Sequence, residues 1–327
     1  MSTIEWQCPL ERYWSCTLDV IGQEFPTAVA GHSVTVHFPA DLDTVDRDRM
    51  LQRPKALKAP SAQVDWGVAV ESRDAADILR FALIADDVAR AEGESLNSET
   101  DMWLKTSMEW LAVTTGQPTV FVGHQSPLLY ENKTFMYEIP DGASPSFIRT
   151  FSKFNIPRDL EWVRADKAVM GYCFDKAGAG IDLPLAWKLL NEARALHRVG
   201  QFRRAVIDAS GAVEIIGYQL LDSELTRSTP PDIAKHLMES GNLTLGKLVD
   251  LLRKTGYSID PDLSPKLVGL RNSVLHSNRG TGPHEPTESE SKGALALATA
   301  FVKKGCPLPA DVPAIYGSRC GKPLRIE

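Results

Sequence analysis

Three residues in the stretch LVGLRNSVLHSNRGTG (267–282) have side chains suited to chemistry: Arg271, Asn272 and His276. At about 100° per residue, the leucines and valines of this stretch share one arc of a helix, and Arg271 falls near the middle of that arc. Asn272 and His276 are four positions apart and share a neighbouring flank. An arginine directed at a core must be paired and hydrogen-bonded, because an unpaired buried charge is costly.

This arginine has two interpretations. In the first, Arg271 forms a buried pair with Glu214 or Asp250, and His276 is a helix-end residue, where the helix dipole favours a cation. In the second, Arg271 reaches a polar cleft at the edge of the helices. There its forked guanidinium would hold a phosphate, and the His276 imidazole would transfer protons.

Further arginines lie near this stretch. Arg279 comes after it on a glycine-containing loop, where a guanidinium could contact an RNA backbone. Arg198, Arg203 and Arg204 cluster around a predicted helical turn and form either a basic patch or an ordinary solvated turn. The net charge of the chain is −6, so any attraction for nucleic acid must come from such a local patch.

The second half of the chain has the pattern of successive helices. It comes after the small-residue stretch DKAGAGIDLP (175–184), which has the composition of a linker. Periodicity and end signals predict helices over 184–198, 201–222 and 243–257, one from Ser264-Pro265, and one from the capping-box pair Thr287/Glu290 to Gly305.

The first half has a mixed pattern. Strand-like runs are WSCTLDV, SVTVHF, VDWGVAV, PTVFVGH, TFMYEI and VMGYCF, and helices are predicted over 74–91 and 98–113. Six of the seven tryptophans lie here, and we expect them to anchor the core. This half contains no phosphate loop, Gly-rich dinucleotide fingerprint or nucleophile elbow.

These patterns predict an α+β fold in which a mixed, strand-containing domain precedes an all-α bundle. We place an α/β or β-rich domain of unknown role, with a sensory or regulatory task as one candidate, at 1–178. The helical bundle is placed at 183–305 and a C-terminal tail at 306–327.

Composition and local sequence signals indicate in which cell compartment and with which cofactors the protein is expected. No run approaches the roughly 18 apolar residues of a membrane span, and MSTIEWQCPL does not resemble a secretion signal. We therefore expect a cytoplasmic protein without membrane contact.

Five cysteines are an odd count, typical of reduced, scattered thiols, although four of them could in principle surround zinc. The acidic run ADLDTVDRDR lacks the glycine and terminal glutamate of a calcium loop. We expect no metal and no cofactor.

The helical hairpin LLNEARALHRVGQFRRAVIDASGAVEIIGYQLL, with Arg271, Asn272 and His276 later in the chain, resembles the HEPN superfamily (higher eukaryote and prokaryote nucleotide-binding domains). The resemblance covers roughly residues 183–304 and includes Glu214 at the end of an Ala-rich face. In the HEPN families that are enzymes, two protomers bring their Arg/His sets together into one metal-independent ribonuclease site.

The resemblance implies a role for each of these residues. Arg271 would bind and stabilise the phosphate, His276 would transfer protons as the ribose 2′-hydroxyl attacks, and Asn272 would orient the substrate or His276. Glu214, Arg279, Arg203 and Arg204 are weaker candidates for substrate binding.

At the level of function, the resemblance implies a homodimeric endoribonuclease that acts on RNA, as a toxin or a phage-defence effector. An antitoxin, trigger protein or ligand would act on its N-terminal domain. One alternative is a catalytically silent HEPN-like module for dimerisation or for binding nucleotides and proteins. Another is an enzyme whose active site lies in the N-terminal half.

Overall fold

The structure is a computed structural model. It describes residues 2–40, 48–58, 65–70, 74–88, 96–117, 119, 133–138, 146–152, 163–230, 232, 233, 235, 238, 243–276 and 284–313. Its strands and helices bear out the α+β fold class.

The first half forms an antiparallel sheet of six strands. They are β1 (Ser2–Cys16), β2 (Glu24–Val29), β3 (His32–His37), β4 (Asp48–Met50), β5 (Gly67–Val70) and β6 (Ala75–Val88). The order is β2-β3-β6-β5-β4, and β1 also pairs with the long strand β6. A separate hairpin joins β7 (Lys133–Glu138) to β8 (Ser146–Ser152).

The hairpin between β2 and β3 shows how the sequence forms these strands. Val34 and Val36 of β3 are buried and alternate with more exposed neighbours, as a half-buried strand requires. The two loop residues, Ala30 and Gly31, have φ values of 49° and 84°. Two consecutive positive φ angles are typical of the tight turn whose twist matches paired strands.

Helices flank the sheet and make up most of the second half. They include α1 (Asn97–Thr115), α2 (Lys167–Gly178), α3 (Leu185–Arg198), α4 (Phe202–Ser228), α5 (Leu245–Lys254), α6 (Leu270–Leu275) and α7 (Glu288–Gly305). A π turn, Ser264–Gly269, runs directly into α6. The predicted capping box is confirmed, since the Thr287 hydroxyl accepts from the Glu290 N–H while the Glu290 carboxylate accepts from the Thr287 N–H.

Two predictions of element type are wrong. The helix predicted over 74–91 is strand β6, and the strand predicted from VMGYCF (169–174) is part of α2. Strand β6 lies inside the sheet, so Phe81, Ala82 and Leu83 are all buried and the alternation of a half-exposed strand is lost. The run in α2 buries neighbouring pairs one helical turn apart, a spacing that a short apolar stretch does not distinguish from a strand.

A third prediction is only partly right, because the strand-like run WSCTLDV (14–20) is strand at 14–16 and is followed by the 3-10 turn Leu18–Val20. The other predicted elements within the described residues are found, with shifts of their ends. The helix predicted over 98–113 is α1, and the predicted helices of the second half correspond to α3, α4, α5 and α7. The strand predicted from PTVFVGH (118–124) falls almost entirely outside the described residues.

An aromatic cluster joins the sheet to α1 and α2. Trp103 of α1 stacks on Phe174 of α2 with 5.3 Å between ring centroids, and Trp14 of β1 stacks on Phe81 at the same distance. The expectation that tryptophans anchor the core is confirmed for Trp14, Trp66, Trp103 and Trp110, which are all nearly inaccessible to solvent.

The same core continues into the helical half. Buried residues of the sheet and of the helices form one cluster, and Trp110 Nε1 donates a 2.8 Å hydrogen bond to the Ile181 carbonyl within the predicted linker. The described part of the predicted tail contacts the helices at its first residue. The Cys306 carbonyl accepts a 2.9 Å hydrogen bond from Trp187 Nε1 of α3. Domain limits at 178 and 183 remain a prediction. No helix among the described residues is long and apolar enough to cross a membrane.

Candidate functional site

The π turn and α6 carry the candidate site residues and also present a buried apolar face. Leu267, Val268, Leu270 and Val274 are buried, and the segment packs against α4, α5 and α7. Pro265 lies in the first turn, as predicted, but Ser264 does not cap the helix. Leu275 was expected within the apolar arc and is 40% exposed instead.

Arg271 lies at the edge of this face and not at its middle. Its side chain is 25% exposed. The burial pattern of α6 explains the difference. Leu270 and Val274 are buried, but Leu275, which the spacing places on the other side of Arg271, is exposed, so the buried arc ends at Arg271.

Two side chains contact the Arg271 guanidinium. Nη1 lies 3.4 Å from Asn272 Oδ1, and Nη2 lies 3.9 Å from Glu214 Oε2 on α4. Of the two partners that the sequence offers, Glu214 is therefore the one that meets Arg271, while Asp250 pairs with Arg253 at 3.7 Å. At 25% and 31% exposure and this distance, the Arg271–Glu214 pair is half-exposed and long. Such a pair contributes only about 0–1 kcal/mol, and it leaves guanidinium donors available to a ligand.

His276 immediately succeeds the last residue of α6. Its backbone is extended, with φ −114° and ψ 119°, and its N–H donates a 2.9 Å hydrogen bond to the Asn272 carbonyl. The residue is exposed. The short helix therefore presents Arg271 and Asn272 near its start and His276 at its end.

The remaining arginines lie elsewhere or have local partners. Arg203 pairs with Glu285 at 3.6 Å, and Arg204 Nη1 donates to Gln201 Oε1 at 3.0 Å. Both lie near the start of α4, about 16 Å along that helix from Glu214 at 1.5 Å per residue. Arg279 lies outside the described residues.

The third arginine of the predicted basic cluster serves a structural purpose. Arg198 Nη2 donates a 2.7 Å hydrogen bond to the Gly116 carbonyl at the end of α1. A guanidinium at that position satisfies a carbonyl that the helix itself leaves open, and it complements the negative end of the helix dipole. We therefore assign Arg198 to the packing of α3 on α1.

The segment that returns to α7 makes contacts that sequence analysis did not identify. The His284 N–H donates to the Ser273 carbonyl of α6 at 3.2 Å. The ring nitrogen Nε2 of His284 lies 3.3 Å and 3.4 Å from the two carboxylate oxygens of Glu290. The one sequence signal near these contacts is the capping-box residue Glu290. Its spacing predicts the contact with Thr287 but not the contact with the His284 ring.

Away from the α6 site, a cleft of about 120 Å³ lies between α1 and α3. Lys188 bridges it, 2.8 Å from Glu109 of α1 and 3.7 Å from Asp182. Asn191 Nδ2 donates to the Glu109 carbonyl at 3.4 Å. These contacts hold the two halves of the chain against each other.

Metal ligands and reactive thiols are the other groups that could do chemistry. Within the described parts of the chain, no three His, Cys, Asp or Glu side chains are grouped so that they could hold a metal ion. Burial raises the pKa of the Cys8 and Cys173 thiols to about 12, and it raises the pKa of Cys16 as well. These three cysteines therefore stay protonated at neutral pH and are poor nucleophiles.

No protein-family model, curated protein or solved structure matches this chain.

Proposed function

We propose that this protein is a metal-independent endoribonuclease of the kind that the HEPN resemblance implies. The observation that carries the proposal is the grouping on α6. A partly exposed Arg271 contacts Asn272 and Glu214, and an exposed His276 ends the same short helix. A fixed cation and an accessible imidazole are the groups that phosphodiester cleavage by an internal hydroxyl requires.

In the proposed reaction, the ribose 2′-oxygen forms a bond to the adjacent phosphorus, and the bond from phosphorus to the 5′-oxygen breaks. In the shared site of a dimer, one His276 accepts the proton of the 2′-hydroxyl, and the second protomer's His276 delivers a proton to the leaving 5′-oxygen. Arg271 binds the phosphate and stabilises the charge that develops on it. Asn272 orients the guanidinium or the substrate, and Glu214 holds the guanidinium before RNA binds.

A homodimer would complete the site. Leu275 is 40% exposed directly beside His276, which supports an apolar contact between two α6 helices. Each protomer would then contribute one Arg271 and one His276 to a shared cleft. An action as toxin or defence effector, with the N-terminal half bound by an antitoxin or a trigger, belongs to the same proposal.

The test uses the purified full-length protein, a mixture of structured and single-stranded RNAs, and EDTA throughout. We expect the wild type to cleave, and the Arg271→Ala and His276→Ala variants each to lose cleavage. Arg253→Ala is the matched control, because Arg253 is a similarly exposed arginine on α5 with its own carboxylate partner. Cleavage that persists in both site variants would refute the proposal.

A catalytically silent binding module is the second candidate. The carboxylate of Glu214 next to Arg271 and the net charge of −6 favour it, because both weaken attraction for RNA. A dimer that binds nucleotides or a protein partner, but cleaves no RNA under any condition tested, would select this candidate.

A further inference from the structure

The last turn of α6 depends on a contact from outside the helix. A helix leaves its final carbonyls without partners in the helix itself, and α6 is only six residues long. The Asn272 carbonyl accepts from the His276 N–H, and the Ser273 carbonyl accepts from the His284 N–H. One of the contacts that close the helix end beside His276 therefore comes from His284, eleven residues further along the chain than Ser273.

His284 is held in place through its side chain. Its ring Nε2 lies within 3.4 Å of both oxygens of the Glu290 carboxylate. That carboxylate is itself fixed, because Glu290 Oε2 accepts hydrogen bonds of 2.8 Å from both the backbone N–H and the hydroxyl of Thr287. The start of α7 thus provides a rigid anchor for the His284 ring.

An ion pair ties the same segment to another helix. Glu285 pairs with Arg203 at the start of α4, and the next residue, Pro286, is buried. Residues 284–287 therefore connect α6, α4 and α7 at one place, immediately beside the end of the helix that carries Arg271 and His276.

We propose that His284 is a positioning residue for the Arg271–His276 site. Its ring is anchored on Glu290, and its backbone N–H holds the last turn of α6 through the Ser273 carbonyl. The positioning of the helix end is a property of the fold; its consequence for catalysis rests on the proposed ribonuclease function. His284 is not assigned contact with the substrate.

Amide hydrogen exchange of the full-length protein tests the positioning without any assay of activity. We expect His284→Ala to speed exchange at residues 274–276 by about fivefold or more, the factor that corresponds to loss of one anchored contact. His284→Gln can still donate to the carboxylate and should restore slow exchange in part. Glu290→Gln keeps the hydrogen bonds of the capping box but removes the charge, so it should speed exchange at the same residues while the start of α7 stays protected.

Lys266→Ala is the matched control, since it removes an exposed ion pair with Asp262 at the other end of the same helical segment. It should leave exchange at 274–276 as in the wild type. Unchanged exchange at 274–276 in His284→Ala would overturn the proposal. So would a rise of equal size throughout α4 and α7, which would indicate general destabilisation.

The catalytic consequence is measured separately in the RNA cleavage assay. We expect His284→Ala to lower kcat with little change in KM, because a displaced His276 affects proton transfer more than binding. If neither the wild type nor the variant cleaves RNA but exchange at 274–276 still rises, the ribonuclease proposal fails while the positioning role stands. If the wild type cleaves and the variant has the same kcat and slow exchange, the positioning role fails alone.

Discussion

Arg271 Nη2 lies 3.9 Å from Glu214 Oε2, so the helix that carries the candidate site meets the middle of α4 through a half-exposed ion pair. The pair holds the guanidinium beside Asn272, and it also places an anion where a phosphate of RNA would bind.

Replacing Glu214 with Gln should therefore strengthen RNA binding. Removal of the competing carboxylate is expected to lower the Kd for a short RNA by about fivefold. This factor corresponds to the free energy of one exposed charge pair, about 1 kcal/mol. The free energy of unfolding should change by less than about 1 kcal/mol. Fluorescence anisotropy and urea unfolding measure the two quantities. Asp250→Asn changes the net charge equally at a distance from Arg271, and an equal gain in affinity there would show that only the overall charge matters.

Removing His276 should leave the fold intact, whereas truncating its buried neighbour Val274 should not. His276 is exposed, so His276→Ala should change the free energy of unfolding by about 0.5 kcal/mol at most. Val274 is fully buried, and Val274→Ala should cost about 2 kcal/mol through lost apolar contact and a cavity. Urea unfolding of both variants checks this contrast, and a large loss of stability in His276→Ala would contradict it.

Gln117 joins three separate parts of the first half, and its loss should be severe. Its Oε1 accepts from the Ser15 N–H at 2.8 Å, and its Nε2 donates to the carbonyls of Ser15 at 2.7 Å and Val163 at 3.1 Å. Gln117 is 4% exposed, so Gln117→Ala removes the side-chain partner of the buried Ser15 N–H and of the Val163 carbonyl, and it should cost about 3 kcal/mol. The Ser15 carbonyl keeps its hydrogen bond from the Ala165 N–H. Thermal unfolding of Gln117→Ala measures this loss, and Gln219→Ala is the control because Gln219 is an exposed glutamine on α4. Equal melting temperatures of the two variants would exclude the role of Gln117.

The carboxyl of Glu290 should titrate below its ordinary range. The hydrogen bond from the Thr287 backbone, then that from the Thr287 hydroxyl, and also nearby His284 hold its pKa below the usual value. A carboxyl whose folded pKa is lowered stabilises the fold above its unfolded pKa, and this contribution is lost as the pH falls through the folded pKa. A ¹³C titration of the glutamate carboxyls measures the value. Thr287→Ala removes the hydroxyl bond but keeps the backbone N–H, so it should raise the pKa of Glu290 part of the way towards the ordinary one. No response to this substitution would show that the hydroxyl does not contribute.

Local interactions are the part of this protein that the sequence predicts well. The capping box at Thr287 and Glu290 spans four residues. The buried stripe of α4 repeats at helical spacing. Both features depend on neighbours along the chain, so residue type and spacing are sufficient to predict them.

The two wrong element types show where such prediction ends. Strand β6 pairs with the preceding strand β5, but also with β1 and β3, which are far from it in sequence. The burial of both its faces removes the alternation that identifies a strand. Helix α2 is buried against the sheet and α1, and its short apolar run fits either structure.

For the candidate site, the sequence by itself determined that Arg271 and Asn272 lie on one helical segment, with His276 four residues after Asn272. Only the tertiary structure decided that Arg271 lies at the edge of the apolar face, that Glu214 and not Asp250 meets it, and that His284 closes the end of α6. The physical reason is that the packing of a helix decides which of its apolar residues are buried, and Leu275 is exposed although its spacing places it in the apolar arc. In addition, contacts between helices depend on how whole elements pack, which no local spacing encodes.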